Sequence, residues 1–337
     1  MNLSRPLFWS QISLPGILLW PISLLFRLLV FLRRTLYRTG VFSSWKSPAP
    51  VVVIGNIAVG GAGKTPLVIA FAELLTKDRY RVGIVTRGYG GTANDIPAVA
   101  TPESDPSLVG DESVLLAKRT GLPVVVSASR VAAVKHLLEN FDIDCVLCDD
   151  GLQHYALQRD VEVAVIDSVY LHGNRFTLPA GPLREPVSRL NSVDMKIYSG
   201  NNRTAPEHLP GYSLAGSNLV SVNDPEVIVP VASFSGRRVH AVAGIATPAG
   251  FYDFLLSHNI DTVQHGFADH AAYKRDDLIF SDDLPVVMTE KDMVKCSRFT
   301  LPDCWYLPVT AQLDDSVVEE FKAHIERVFS MRKNNAD

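Results

Sequence analysis

The segment Ala58-Val59-Gly60-Gly61-Ala62-Gly63-Lys64-Thr65 combines small residues with a lysine and a threonine, the types that hold a polyphosphate. Without bulky side chains, backbone amides can curl around phosphate oxygens, and a following helix N-terminus adds partial positive charge. Lys64 supplies charge for β- and γ-phosphates, and the Thr65 hydroxyl supplies an oxygen for Mg²⁺. The strict pattern GxxxxGK[ST] fails at its first position, where Ala58 stands. The context that the motif requires is nevertheless present: the apolar run VVVIGN before it and a helical pattern from Thr65 to Lys77 after it. A loop that binds ATP is the expectation.

Such a loop needs a carboxylate at the end of a neighbouring hydrophobic strand. CVLCDDGLQH supplies Asp149 and Asp150 there. One can bind Mg²⁺ directly or through water while the other orients water or substrate, and the residues alone leave open which does which. In GDE, Asp111 and Glu112 begin a predicted helix, and taken alone Asp111 reads better as a cap than as a chemical group. Arg87 and Tyr89 in TRGYGG follow a second predicted strand, on the side where ligands of open α/β sheets collect. The arginine suits a phosphate; the tyrosine suits a sugar face or plain loop packing equally well. Arg130, opening a helix, and Arg184, in PLREP, are further candidates for phosphate contacts. Glu185 is a candidate for the Mg²⁺ shell, and Gln153 and His154 for positioning substrate or metal-bound water. His136, His172, His208, His240 and His258 have no motif around them and read as surface or structural. In TEKD, Lys291 either faces a nucleotide base or pairs with Asp292, and nothing in the sequence decides between them.

The elements that must position these groups follow an alternating pattern from Pro50. Strands are expected at VVVIGN, RVGIVT, PVVVS, CVLCDD, VEVAVID and Met195 to Ser199, with helices at Thr65–Lys77, Gly110–Thr120 and Arg130–Asn140. Consecutive strand–helix units imply a parallel sheet covered on both faces. A second series begins at Arg238: VHAVAGIA, a helix from Pro248 to His258, a strand near Val263, a helix near Tyr273, the strand VVMTEKD and a helix from Asp315. The predicted fold is α/β, a P-loop NTPase-type mostly parallel sheet with a smaller C-terminal α/β domain. The expected segments are 1–46 (membrane-associated helix), 47–211 (nucleotide-binding domain) and 212–337 (smaller domain).

Charge and composition narrow the function. A net charge of -4 over 337 residues, with no large basic excess in either domain, argues against a nucleic-acid partner. The four cysteines are too few and too irregular for a disulfide framework. Cys145 and Cys148 lie in an apolar strand where their spacing sends the thiols to opposite faces, so both read as core residues. No acidic residue precedes Glu73, whereas Arg5, Arg27, Arg33, Arg34, Arg38 and Lys46 do. That asymmetry coincides with PGILLWPISLLFRLLVFLRR, which Pro21 and Arg27 make a poor spanning helix. Wound as a helix, it gathers Ser23, Arg27, Arg34 and Arg38 on one narrow face and apolar side chains on the rest. Such a helix sinks into one leaflet and sets its arginines against anionic headgroups, so a membrane surface is the expected partner. A monomer is expected.

Among phosphate-loop classes, a GTPase lacks its NKxD-type reader here. A membrane-positioning ATPase shares GGxGKT, but Val59 stands where that class carries its signature lysine. The strings GNIAVGGAGKTP, TRGYGG, GDE, DDGLQH, PAGPLREP, FADH and TEKD, in this order, resemble the tetraacyldisaccharide 4′-kinase family of lipid A biosynthesis over essentially the whole chain. The resemblance implies transfer of the ATP γ-phosphate to the 4′-hydroxyl of a tetraacylated glucosamine disaccharide 1-phosphate, at the cytoplasmic face of a bacterial inner membrane. It also implies that Asp111 is the catalytic base and that His270 of FADH pairs with it. Lys64 and Arg184 complete the catalytic set.

Overall fold

One long helix, α1 (Leu14–Arg38), opens the chain. The computed structural model describes residues 6–92, 96–200 and 209–334, and Arg5 and His208 lie outside them. The buried face of α1 is narrow: Gly16 and Ser23 are the buried residues. Ser23 Oγ donates to the Thr177 carbonyl (2.8 Å) and accepts from the Ala180 amide (3.0 Å), while Thr177 Oγ1 donates back to the Ser23 carbonyl (3.1 Å). On the same face Arg34 donates to Ser192 Oγ (2.8 Å). The opposite surface stays apolar and uncovered, with Leu18, Ile22, Leu25, Leu29 and Phe31 all more than half exposed. A patch of this kind marks a surface that meets lipid or another protein.

The alternating series then builds β1 (Val51–Gly55), α2 (Lys64–Lys77), β2 (Val82–Thr86), β3 (Ala98–Ala100), α3 (Pro106–Val109), α4 (Asp111–Thr120), β4 (Val124–Val126), α5 (Arg130–Asn140), β5 (Cys145–Asp149), β6 (Val161–Asp167) and β7 (Met195–Ser199). Strands β1, β2 and β5 are buried along their whole length, as central parallel strands covered on both faces must be. Cys145 packs on one side of the sheet and Cys148 on the other. Burial pushes the Cys145 thiol up to about 12, so it is an inert core group.

The rest of the chain contributes β8 (Gly211–Ala215), β9 (Asn218–Ser221), β10 (Ile228–Pro230), β11 (Arg238–Ala243), α6 (Ala249–Ser257), β12 (Asp261–Gly266), β13 (Val286–Thr289), α7 (Glu290–Cys296), β14 (Cys304–Leu307), β15 (Thr310–Leu313) and α8 (Asp315–Asn334). Among the described residues the large sheet runs β15-β8-β7-β6-β1-β5-β2-β4-β3, and the smaller mixed sheet runs β10-β9-β14-β13-β11-β12. Residues 211 and 212 both lie in β8, within the large sheet, and the smaller sheet begins at β9. The chain also comes back: β15 pairs antiparallel with β8, and Phe321 of α8 stacks on Phe71 of α2 with centroids 3.8 Å apart. The expected helix near Tyr273 is instead a short 3-10 turn at Arg275–Leu278. VVMTEKD divides at Thr289, whose hydroxyl caps α7 by accepting from the Asp292 amide (3.2 Å).

Candidate active site

Strand β1 delivers the glycine loop at its carboxyl end, between β5 and β6. The loop is pinned from outside the sheet: Ala58 bridges Leu183, the Val59 amide donates to the Pro182 carbonyl (2.8 Å), and the Arg184 amide donates to the Ile57 carbonyl (2.7 Å). Ala58 therefore serves as a paired backbone position, which explains why a glycine is not required there. Gly63 is different. Its φ of +74° and its closeness to Tyr212, whose hydroxyl donates to the Gly63 carbonyl, leave no room for a Cβ. The Lys64 ammonium lies 3.3 Å from Asn56 Oδ1 and 3.3 Å from Asp150 Oδ1. Asn56 belongs to the GN that opens the loop string, a role that residue type alone did not disclose.

Register places Asp149 beside Ile54, one residue before the end of β1. Asp149 is 1% exposed, and its Oδ1 has no hydrogen-bond partner. Burial, with Glu112 nearby, lifts this carboxyl to about 7 against the pull of Lys64. A buried carboxylate oxygen without a donor, on the strand beside the one that delivers the phosphate loop, fits Mg²⁺, which takes few protein oxygens and fills its shell with phosphate and water. Asp150 is the opposite case. Burial acts to raise it, but Lys64 and Arg184 outweigh burial and hold it well below the usual carboxylate range. Arg184 Nη1 is 3.1 Å from Asp150 Oδ2.

Three expected contacts turn inward. Arg130 is 2% exposed, and its guanidinium donates to the carbonyls of Ser127 (3.1 Å), Asp149 (2.9 Å) and Asp150 (3.4 Å). It braces the Asp149–Asp150 turn from behind and does not present itself to a phosphate. Glu185 is likewise buried, its Oε2 accepting from Gln153 Nε2 (2.9 Å) and its Oε1 from the Tyr155 hydroxyl. Both oxygens, proposed from the sequence for the Mg²⁺ shell, are engaged by protein donors. Gln153 also donates to the Asn56 carbonyl (3.1 Å), so it joins the loop to this inner network. Burial, then Arg130 and Arg87, push His154 down to about 4, which keeps it neutral near pH 7. Arg87 and Tyr89 remain exposed at the end of β2, and the Tyr89 ring sits 4.7 Å from that of His270.

The remaining group is assembled between the sheets. Gly110, with φ +87°, occupies the N-cap of α4, so Asp111 is not the cap that its local sequence favoured. Its carboxylate faces His270, whose Nδ1 lies 3.0 Å from Oδ1 and 3.1 Å from Oδ2. Burial acts to raise the Asp111 carboxyl, but the His270 hydrogen bond and Lys291 win and lower it. His270 has φ +59°, a conformation costing a non-glycine residue about 1–2 kcal/mol. A Cβ at Gly110 would fall 2.7 Å from the Tyr89 carbonyl oxygen and 2.8 Å from the Gly88 carbonyl carbon. Gly110→Ala is therefore expected to push the β2 loop off Asp111 and cut turnover by roughly 10²-fold, while a nucleotide-binding titration stays near wild type.

The family model described as tetraacyldisaccharide-1-P 4′-kinase matches residues 15–327. The tetraacyldisaccharide 4′-kinase of Azoarcus sp. (strain BH72) is 44% identical over 328 residues, 96% of each chain. That of Nitrosococcus oceani is 46% identical over 309 residues, 92% of this chain and 90% of the relative. Among solved structures, LpxK from Aquifex aeolicus in complex with ATP aligns with a TM-score of 0.77 at 27% identity, covering 93% of this chain and 99% of that one. A family match across nearly the whole length, on a fold that carries the phosphate loop and the facing carboxylates, means that the chain belongs to the tetraacyldisaccharide-1-phosphate 4′-kinase family, the ATP-dependent lipid A 4′-kinases.

Proposed function

We propose that the chain transfers the ATP γ-phosphate to the 4′-hydroxyl of a tetraacylated glucosamine disaccharide 1-phosphate embedded in the cytoplasmic leaflet of a bacterial inner membrane. The observation that carries this reading is the Asp111–His270 pair assembled between the sheets, adjoining a residue whose charge reaches the carboxylate at the end of β5. Glu112, the neighbour of Asp111, is close enough to Asp149 to raise its carboxyl. Asp111 is anionic and buried, and accepts the hydroxyl proton as the new P–O bond forms. His270 orients that carboxylate. Lys64 and Arg184, both ion-paired to Asp150, carry the charge that steadies the transferring group. Thr65 and Asp149 are the residues that would hold Mg²⁺; bound there, it would neutralise charge on the β- and γ-phosphate oxygens. Exposed Arg87 and Tyr89 suit the substrate headgroup, phosphate and sugar respectively.

The apolar outer face of α1 supports the membrane assignment, since an acyl-chain substrate is presented at that surface. Purified protein in detergent micelles, with Mg²⁺, γ-labelled ATP and a tetraacyl disaccharide 1-phosphate, is expected to put label into a bis-phosphorylated lipid. Chelating Mg²⁺ is expected to abolish the label. ATP hydrolysis indifferent to the acceptor would overturn the proposal in favour of a membrane-positioning ATPase.

A further inference from the structure

Lys291 of TEKD does not pair with Asp292, whose carboxylate takes Lys295 instead (2.7 Å). The Lys291 ammonium lies 3.0 Å from Glu112 Oε1 on α4, 3.1 Å from Asp269 Oδ1, and 3.4 Å from His270 Nε2. It thus joins the small sheet to the first turn of α4, on the far side of the His270 ring from Asp111. We infer that Lys291 is a positioning residue that holds His270 in the form with its proton on Nδ1, aimed at Asp111, and with Nε2 bare. The inference rests on the reading of Asp111 and His270 as the catalytic pair.

A donor count carries the argument. A carboxylate only accepts, and an ammonium only donates. His270 has the Asp111 carboxylate at Nδ1 and the Lys291 ammonium at Nε2. One proton arrangement satisfies both contacts: Nδ1–H donating to Asp111, and the Nε2 lone pair accepting from Lys291. A proton on Nε2 would face the ammonium. Asp269 supplies the competing state, because its Oδ2 lies 3.6 Å from Nε2 and would accept from an Nε2–H if Lys291 were absent. The charged groups around the ring are therefore Asp111 and Glu112 from α4, Asp269 from its own loop, and Lys291 from α7. Lys295 acts on Asp111 from α7, and the Tyr89 ring packs on the histidine from the β2 loop. Burial acts to lower Lys291, but Glu112, Asp111 and Asp269 outweigh it and hold the ammonium above the usual lysine range.

The rest of TEKD supports the same end. The Asp292 carboxylate is fully buried and accepts from the Gly244 amide (2.9 Å), the Thr289 hydroxyl (2.6 Å) and the Tyr273 hydroxyl (2.9 Å). Tyr273 follows His270 by three residues, so Asp292 fastens the loop that carries the histidine while Lys291 sets its ring.

The test uses the full chain in detergent micelles with ¹⁵N-labelled histidine, the His270 signals being assigned by their loss in His270→Gln. Wild type is expected to show Nδ1–H with Nε2 unprotonated. Lys291→Met is expected to move His270 to Nε2–H or to the doubly protonated ring. Its kcat falls about 10²-fold with the KM for ATP nearly unchanged, and Lys291→Arg recovers part of the loss along with the wild-type signals. A wild-type spectrum with Nε2 protonated would overturn the inference even if Lys291→Met did not fold. So would a Lys291→Met enzyme that loses turnover with unmoved His270 signals, since Lys291 would then act through packing alone. Failure of the catalytic reading is read separately, as an Asp111→Asn enzyme that still turns over.

Discussion

Asp111→Asn is expected to lower kcat by about 10²–10⁴-fold, the range supplied by a positioned base, with little change in the KM for ATP. The amide matches the carboxylate in shape and can still accept from His270 Nδ1, so the geometry between the sheets survives. What it cannot do is take the proton from the acceptor hydroxyl. The fold should tolerate the change, because Lys291 keeps Glu112 and Asp269 as partners. On the proposed reading ATP sits elsewhere, on the loop after β1, so binding and turnover are expected to separate. Steady-state kinetics with the lipid acceptor, beside a nucleotide-binding titration, checks both halves. Turnover within about threefold of wild type would return Asp111 to the role of a helix-terminal residue with no part in proton transfer.

Arg130→Met is expected to cost stability first and turnover second. Its guanidinium satisfies the carbonyls of Ser127, Asp149 and Asp150 in a buried site. A thioether leaves them without that donor, at about 1–3 kcal/mol for each acceptor stranded away from water. A loss near 3 kcal/mol corresponds to a fall in melting temperature on the order of 10 °C. The Asp149–Asp150 turn then loosens under Lys64 and Thr65, and kcat falls with it. Thermal unfolding and ATP titration together separate this from a phosphate contact, which would raise the KM for ATP and leave the melting temperature alone. A variant that melts like wild type but binds ATP weakly would reverse the assignment.

These two residues show the limits of local sequence from opposite sides. Arg130 is conspicuous as a cation at a helix start near the ligand edge, yet whether such a group faces solvent or carbonyls depends on how α5 packs over β2 and β4. Glu185 is the same case, a carboxylate beside Arg184 whose oxygens Gln153 and Tyr155 claim from the other direction. Asp111 read locally as a cap, and only its partner, 159 residues away, makes it something else.

The sequence by itself determined what is encoded within one element and its flanks. The loop from Ala58 to Thr65, the aspartates ending β5, the all-apolar central strands and the arginine-bearing apolar helix are short-range patterns, because helix and strand periods and glycine geometry act over a few residues. Tertiary structure decided the pairings that cross between sheets: Asp111 with His270, Lys291 with Glu112, and β15 and α8 returning to the first sheet. The four-residue strands TAQL and CWYL are too short for alternation to tell them from loop, and they become strands only when β8 and β13 offer ladders to complete. Contacts at such separations depend on loop closure and on packing between layers, and neither leaves a period in the chain.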